Sequence, residues 1–232
     1  FALGYELLVN RHLQIEREAE TRVHAERERQ YELSRANIEA INIKCHDLKH
    51  QIRNLRTTGQ VDPAYLDDLE RSVSIYNSAV RTGNETLDIV LTDKRLHCAS
   101  HNIQFTCIAD GSGVAFMETM DIFSLFGNIL DNAIECESLQ PPEMRFIHLS
   151  VRTVNRMLTI HAENHFEDSL QFKDGLPVTT KADKDSHGYG MMSVRHIVEK
   201  YNGSFSISTQ DKLFQIDIIM PIPYDDTGRS AG

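Results

Sequence analysis

The sequence has 232 residues, 41% of them hydrophobic and 25% charged, which is enough for one large or two small domains with a buried core and too apolar for a disordered tail. A formal net charge of -10 repels polyanions and argues against a general nucleic-acid binder, while leaving room for a local basic pocket for phosphates. No run reaches the roughly 18 to 20 apolar residues of a spanning helix, and the four cysteines, Cys45, Cys98, Cys107 and Cys136, include no CxxC pair, which fits a reducing compartment.

The opening FALGYELLV lacks a basic flank and a cleavage site, so it reads as a domain edge or as the last turns of something truncated. From Arg11 to Arg35 the chain carries strong helix formers and no Pro or Gly. An apolar stripe steps through Leu8, Ile15, Ala19 and Val23, becomes polar around Glu26 to Gln30, and resumes at Ile38, Ile41, Cys45, Leu48, Ile52 and Leu55. This predicts a long helix whose C-terminal half packs and whose N-terminal half is either a weak coiled coil or a solvated helix. Thr57, Thr58 and Gly59 break it. Asp62 and Pro63 then cap and start a second helix through Leu66, Leu69, Val73, Tyr76 and Val80, which stops near Thr82, Gly83 and Asn84. A hairpin with two such stripes cannot bury both alone, so a dimeric four-helix bundle completes it.

Beyond Glu85 the texture becomes mixed. LDIVLTDKRLHCAS reads as helix, IQFTCIA as strand and MDIFSLFGNILDNAIECESL as a long helix. FIHLSVRTV and MLTIHAEN read as a hairpin turning at Asn155 and Arg156. A loop from Phe166 to His187 follows, its charged, Gly- and Pro-bearing stretch from Asp168 to Lys184 resembling a lid, and then helix YGMMSVRHIVEKY and strands SFSIST and LFQIDIIM. The expected architecture is an α+β sandwich of helices on a sheet.

Three groups of polar residues stand where packing does not require them. His46 lies one step off the stripe, with Asn42, Lys49, His50 and Arg53, so it faces solvent, and Asp47 beside it could hold one ring N–H while the other nitrogen acts as a nucleophile. Alone the pair is no more than an exposed His next to an exposed Asp. Asn128 and Asn132 are four apart on an otherwise apolar helix, so both amides point the same way; two amides can ligate a hard cation or phosphate oxygens, or simply bond backbone and water. Gly188 and Gly190 flank Tyr189 where a loop meets a helix, an arrangement that admits phosphates to backbone N–H groups and that also occurs in plain turns. His97 and His101 are helix neighbours without a third metal ligand, and His187 either touches phosphate or holds the lid.

HDLKHQ, TGNETLDIVL, GNILDNAIE and TTKADKDSHGYGMMSV, in this order and spacing, resemble a sensor histidine kinase of a two-component system with a GHKL-type ATP-binding domain of Bergerat fold, closest to the quorum-sensing peptide-receptor branch of Gram-positive bacteria. The resemblance covers about Ile38 to Pro223. It implies a signalling helix or coiled coil over 1–36, a dimerisation and histidine-phosphotransfer hairpin over 37–84, a catalytic ATP-binding domain over 85–224 and a tail over 225–232. It implies ATP and Mg²⁺ as ligands, a homodimer through the hairpin, a response regulator receiver domain as partner, and a cytoplasmic position below a membrane sensor domain upstream. Carried over by position, His46 is the phosphoacceptor and Asp47 its acidic neighbour. Asp47 and Gln51 make a DxxxQ pattern that resembles a phosphatase motif positioning water, and His50 stands where the branch usually has Asn. Asn128 and Asn132 fill the N-box, with Asn128 as the Mg²⁺ ligand. Lys181 and His187 lie in the ATP lid, and Gly188 and Gly190 form the glycine box. The usual Asp-x-Gly that reads adenine is absent; AENHFED stands there, and Asn164 takes that role. Two alternatives stay open: a GHKL ATPase, against which Asn128 stands where a water-activating glutamate would be needed, and a degenerate ATP-binding scaffold.

Overall fold

The computed structural model describes residues 2–58, 80–166, 172–173, 176–177 and 189–224. Helix α1 (Ala2–Thr58) leads to a body of three helices, α2 (Glu85–Ser100), α3 (Thr119–Ser138) and α4 (Tyr189–Lys200), and seven strands. These are β1 (Gln104–Ala109), β2 (Phe146–Val154), β3 (Met157–His165), β4 (Phe172–Lys173), β5 (Leu176–Pro177), β6 (Ser204–Gln210) and β7 (Leu213–Pro221). The main sheet runs β1-β2-β3-β7-β6, with β1 parallel to β2 and every other pair antiparallel, so it is a mixed five-stranded sheet. Apart from the start of α1 and the short strands β4 and β5, the hydrophobic periodicity recovers these elements to within a residue or two at each end.

Two-residue turns set the register. Asn155 and Arg156 (φ 48° and 63°) join β2 to β3, and Asp211 and Lys212 (φ 53° and 62°) join β6 to β7, the left-handed pairs that match the twist of a tight hairpin. Alternation then divides the sheet into two faces. Ile147, Leu149 and Val151 on β2, Leu158, Ile160 and Ala162 on β3, and Ile216, Ile218 and Met220 on β7 are buried beneath the helices together with Leu87, Leu91, Leu125, Phe126, Ile129, Leu130, Val194 and Val198. His148, His161, Glu163, Gln215 and Asp217 carry the other face.

Helices α3 and α4 are antiparallel neighbours. Asp121 at the start of α3 takes hydrogen bonds from Lys200 Nζ and the Tyr201 hydroxyl, both at 2.7 Å, at the end of α4. Moving back ten residues from Lys200 and forward eleven from Asp121, about 15 Å along each axis, brings Gly190 opposite Asn132. Asn84 caps α2, its side chain accepting from the Leu87 N–H at 3.0 Å. The segment just before it, where the sequence predicts that the second helix stops, is fastened down. Thr82 donates its N–H and its hydroxyl to Asp88 at 2.6 and 2.7 Å, and its carbonyl accepts from Gly111 N–H at 2.9 Å.

Several expectations change. The loop after β3 contains the short antiparallel pair β4–β5. Leu48, expected in the packing stripe, is exposed, whereas Cys45 and Ile52 around it are buried. The polar window of α1 and the turns just after it form a docking site: Arg27 donates to Ser193 Oγ on α4 at 3.1 Å, Tyr31 meets Phe123 on α3 edge-on at 5.4 Å, and Arg35 pairs with Glu85 at 2.9 Å. Of the expected second helix, the part from Asp62 to Tyr76 lies outside the described residues, and its expected last turn at Val80 is not helical. Among the described residues no helix is long and apolar enough to cross a membrane.

Candidate functional site

Asn128 and Asn132 sit one turn apart on the face of α3 that meets the start of α4. A Cβ at Gly190 would lie 3.5 Å from Asn128 Oδ1 and 3.7 Å from Asn132 Nδ2, so the glycine leaves the two carboxamides facing an open helix start. Asn132 Nδ2 is buried and has no hydrogen-bond partner among the described residues. A buried, unpaired amide N–H costs roughly 1 to 3 kcal/mol. Bonding to backbone, the bland reading of this pair, does not occur at that atom. The donor set suits a phosphate with its cation: a carboxamide oxygen at Asn128 for a hard metal, an amide nitrogen at Asn132 for a phosphate oxygen, and the N-terminal turn of α4, whose backbone N–H groups have no partner within the helix.

The face continues one turn further to Cys136, whose thiol donates to the carbonyl of His165 at 3.3 Å. Asn164 precedes that residue, on the core-facing row of β3 after Leu158, Ile160 and Ala162, opposite Ile147 and Phe214, and is 3% exposed. It is the polar member of an apolar row. Its amide nitrogen donates to His165 O at 2.9 Å. Asn128, Asn132, Gly190 and Asn164 thus gather along one wall between α3, α4 and the end of β3.

Glu137, the next residue on α3, was not singled out by its sequence position. It is fully buried, and both oxygens are used: Oε1 accepts from the His165 N–H at 2.5 Å and Oε2 from the Phe146 N–H at 3.1 Å. Burial pushes its pKa up, and the hydrogen bonds from those N–H groups, the nearby His165 and the Asn164 side chain oppose the rise. The available signal was an acidic residue in the last turn of an apolar helix, where the helix dipole disfavours it.

The histidine motif is placed elsewhere. His46, Asp47, His50 and Gln51 all lie exposed on α1. His46 Nδ1 faces Asp47 Oδ1 at 3.6 Å, with the two side chains 81% and 67% exposed, and His50 Nδ1 lies 3.3 Å from Asn54 Nδ2. His46 is nineteen residues beyond Arg27, about 28 Å along the helix at 1.5 Å per residue, so α4 rests on α1 well away from it. Lys181, His187 and Gly188 fall outside the described residues. His97 and His101 stack with centroids 4.3 Å apart at the end of α2, far from the carboxamides in sequence and on a different helix.

No curated protein matches the sequence. Among solved structures, the chain is similar to the catalytic domain of the histidine kinase ThkA, at 17% identity over 61% of this chain and 93% of that one with a TM-score of 0.46. It is also similar to the histidine kinase domain of a blue-light activated histidine kinase from Erythrobacter litoralis (12% identity, 80% and 94% covered, TM-score 0.39). A third is the histidine kinase AdeS of Acinetobacter baumannii (14% identity, 76% and 93% covered, TM-score 0.41). Residues 117–221, which contain both asparagines of α3, Asn164 and Gly190 within the helix-on-sheet sandwich, match the family described as the GHKL domain.

Proposed function

We propose that this chain is the kinase core of a sensor histidine kinase, which transfers the γ-phosphoryl group of ATP to His46 and from there to an aspartate of a response regulator receiver domain. The observation that carries the reading is the pair of α3 carboxamides facing Gly190, with Asn132 Nδ2 buried and unpaired, inside a GHKL domain whose own chain also presents an exposed His–Asp pair. Neutral amides suit this task because the triphosphate arrives with its own cation, and a carboxylate at Asn128 would repel the phosphates. Asn128 would hold Mg²⁺, which neutralises phosphate charge when bound with the nucleotide. Lys181 is assigned the remaining phosphate charge, and His187 with Gly188 and Gly190 the closing edge.

At the other end, Asp47 facing Nδ1 of His46 favours the tautomer with its proton there and leaves Nε2 as the free lone pair. Nε2 attacks γ-phosphorus, the bond to the β–γ bridging oxygen breaks, and ADP leaves with that electron pair. The Nδ1 proton stays on the ring, and Asp47 offsets the charge that develops. The docking of α4 at Arg27 sets a requirement: the GHKL domain must leave that site, or meet a partner's His46 in a homodimer formed through the hairpin, before transfer occurs. The quorum-sensing branch and a membrane sensor upstream of Phe1 complete the proposal, resting on the order of the sequence motifs.

Incubation with γ-labelled ATP tests it. Label on the protein that is acid-labile and base-stable, and that disappears in His46→Gln, is expected. Tight ATP binding with neither labelled protein nor released phosphate would leave only a scaffold, and released phosphate without labelled protein would favour an ATPase.

A further inference from the structure

Glu137 is a buried anion that phosphate chemistry does not use. It stands at the C-terminal end of α3, where the unpaired carbonyls of the helix oppose a negative charge, and in the interior an unpaired carboxylate is costly. Two main-chain donors hold it. Phe146 and His165 stand one step beyond Ile147 and Asn164, the last pair in the β2–β3 register, so the carboxylate closes the open end of that ladder. Both of its oxygens face N–H groups, which suits the ionised form, since a protonated oxygen would turn an O–H toward a donor.

What the carboxylate fixes is the peptide of His165. With its N–H on Glu137, that residue points its carbonyl at two donors, the thiol of Cys136 at 3.3 Å and Nδ2 of Asn164 at 2.9 Å. The carbonyl in turn decides how Asn164 is turned: its oxygen could not take the place of Nδ2, because two acceptors would then face each other with no proton between them. With Nδ2 committed to that carbonyl, Oδ1 is the side chain's remaining polar atom, and it can only accept. Asn is ambiguous as a reader of bases, able to donate or to accept, and this network removes the ambiguity. At position 6 adenine offers an N–H donor, whereas guanine offers an acceptor oxygen.

We infer that Glu137 is a positioning residue for base recognition: by fixing the His165 peptide, with help from Cys136, it makes Asn164 a hydrogen-bond acceptor and so selects a 6-aminopurine over a 6-oxopurine nucleotide. The inference rests on the reading of this wall as a nucleotide site. Calorimetric titration of the full chain with Mg-ATP and with Mg-ITP, which differs from ATP only in having an oxo group and an N–H for the 6-amino edge, isolates that contact. The unmodified chain should prefer ATP by about tenfold or more, the size expected when a matched hydrogen bond becomes two facing acceptors. Glu137→Gln replaces one acceptor by a donor against a main-chain N–H and should bring the ATP/ITP ratio to within about twofold of unity, as Asn164→Ala does directly, with no further change in the double variant because both act through one contact. Cys136→Ala, which leaves the carboxylate in place and folds if Glu137→Gln does not, should lower the ratio by about twofold to threefold. An ATP/ITP ratio unchanged in the folded variants, whatever their melting temperature, overturns the inference and leaves the nucleotide site standing. Binding of neither nucleotide by the unmodified chain overturns the nucleotide reading itself and this inference with it.

Discussion

His46 leaves 81% of its side chain in solvent on the surface of α1, whereas Asn132 buries an unpaired amide nitrogen on the face of α3 that meets α4. The difference follows from what each is proposed to do. A phosphoacceptor must be approached by another body, and an exposed imidazole costs the fold nothing. A phosphate site must exist before its ligand arrives, with water excluded and donors fixed, and that preorganisation is stored as an unpaid hydrogen bond in the empty protein. Activity and stability should therefore separate completely at the first and trade against each other at the second. The largest expected effect is at His46: His46→Gln should abolish protein labelling by γ-labelled ATP while changing unfolding free energy by no more than about 0.5 kcal/mol, as for other exposed substitutions. A melting temperature that falls with the label would mean that His46 packs, and the contrast between the two ends would fail.

At the nucleotide end the two effects should have opposite signs. Asn132→Leu removes the unpaired Nδ2 and should stabilise the ligand-free chain by roughly 1 kcal/mol, while lowering ATP affinity by about tenfold or more. Gly190→Ala should behave in the same way for a different reason. Its Cβ would meet Asn128 and Asn132 at 3.5 and 3.7 Å, ordinary contact distances, so the helix gains roughly 0.5 to 1 kcal/mol, but the methyl group occupies the space between the carboxamides and the helix start. Thermal unfolding with and without ATP reads both terms at once, because nucleotide raises the unmodified chain's stability by mass action and should not raise that of the variants. Equal ligand-induced shifts in variant and parent would remove the phosphate assignment.

The same contrast explains how far the sequence could be read. Period-two runs such as FIHLSVRTV and period-3.6 runs such as MDIFSLFGNILDNAIECESL are local patterns, and they located strands and helices because each element buries one face. Asn128 and Asn132 were legible for the same reason, as polar residues interrupting an apolar helix. Glu137 was not: its partners are the main-chain N–H groups of residues 9 and 28 positions away, brought there only by the sheet register. Arg27 was missed through the opposite error. A charged window in a long helix ordinarily means solvent, yet its guanidinium reaches Ser193, 166 residues later, and half-burial of an arginine leaves no periodic trace. The parallel pairing of β1 with β2 was also beyond local pattern, since the crossover through α3 decides it.

Between the two ends lies the docking of α1 on the helix-on-sheet body, smaller in energy than either. Tyr31 is nearly buried and meets Phe123 edge-on at 5.4 Å with an interplanar angle of 79°. Tyr31→Ala should weaken the docking by roughly 1 to 2 kcal/mol, the aromatic pair plus lost burial. Hydrogen exchange should show it as faster exchange in the middle of α1, with the main-sheet amides unchanged. Uniform acceleration through β2, β3 and β7 would mean that α1 is part of the core cooperative unit and not a docked arm.

The smallest effect belongs to the outer face of the sheet. Desolvation lowers the pKa of His161, but Asp217, at 2.7 Å from Nδ1, and Glu163, at 3.4 Å from Nε2, outweigh it and raise the pKa above the ordinary histidine value. A histidine whose folded pKa is raised binds its proton more tightly in the native state, so its stabilisation is full below the unfolded pKa of about 6.5 and is lost as pH rises through the higher folded value. The cluster is partly solvated, so the contribution should stay under about 1 kcal/mol and shrink further with added salt. Comparing the unmodified chain with His161→Gln by denaturant unfolding should therefore give a difference that is largest below the unfolded pKa of about 6.5 and vanishes at alkaline pH, above the raised folded value. Because this face is remote from Asn128 and Asn132 on the opposite side of the sheet, ATP binding by His161→Gln should not change across the same range; if it does, the two faces of the sheet are coupled and the site is less self-contained than its buried amides indicate.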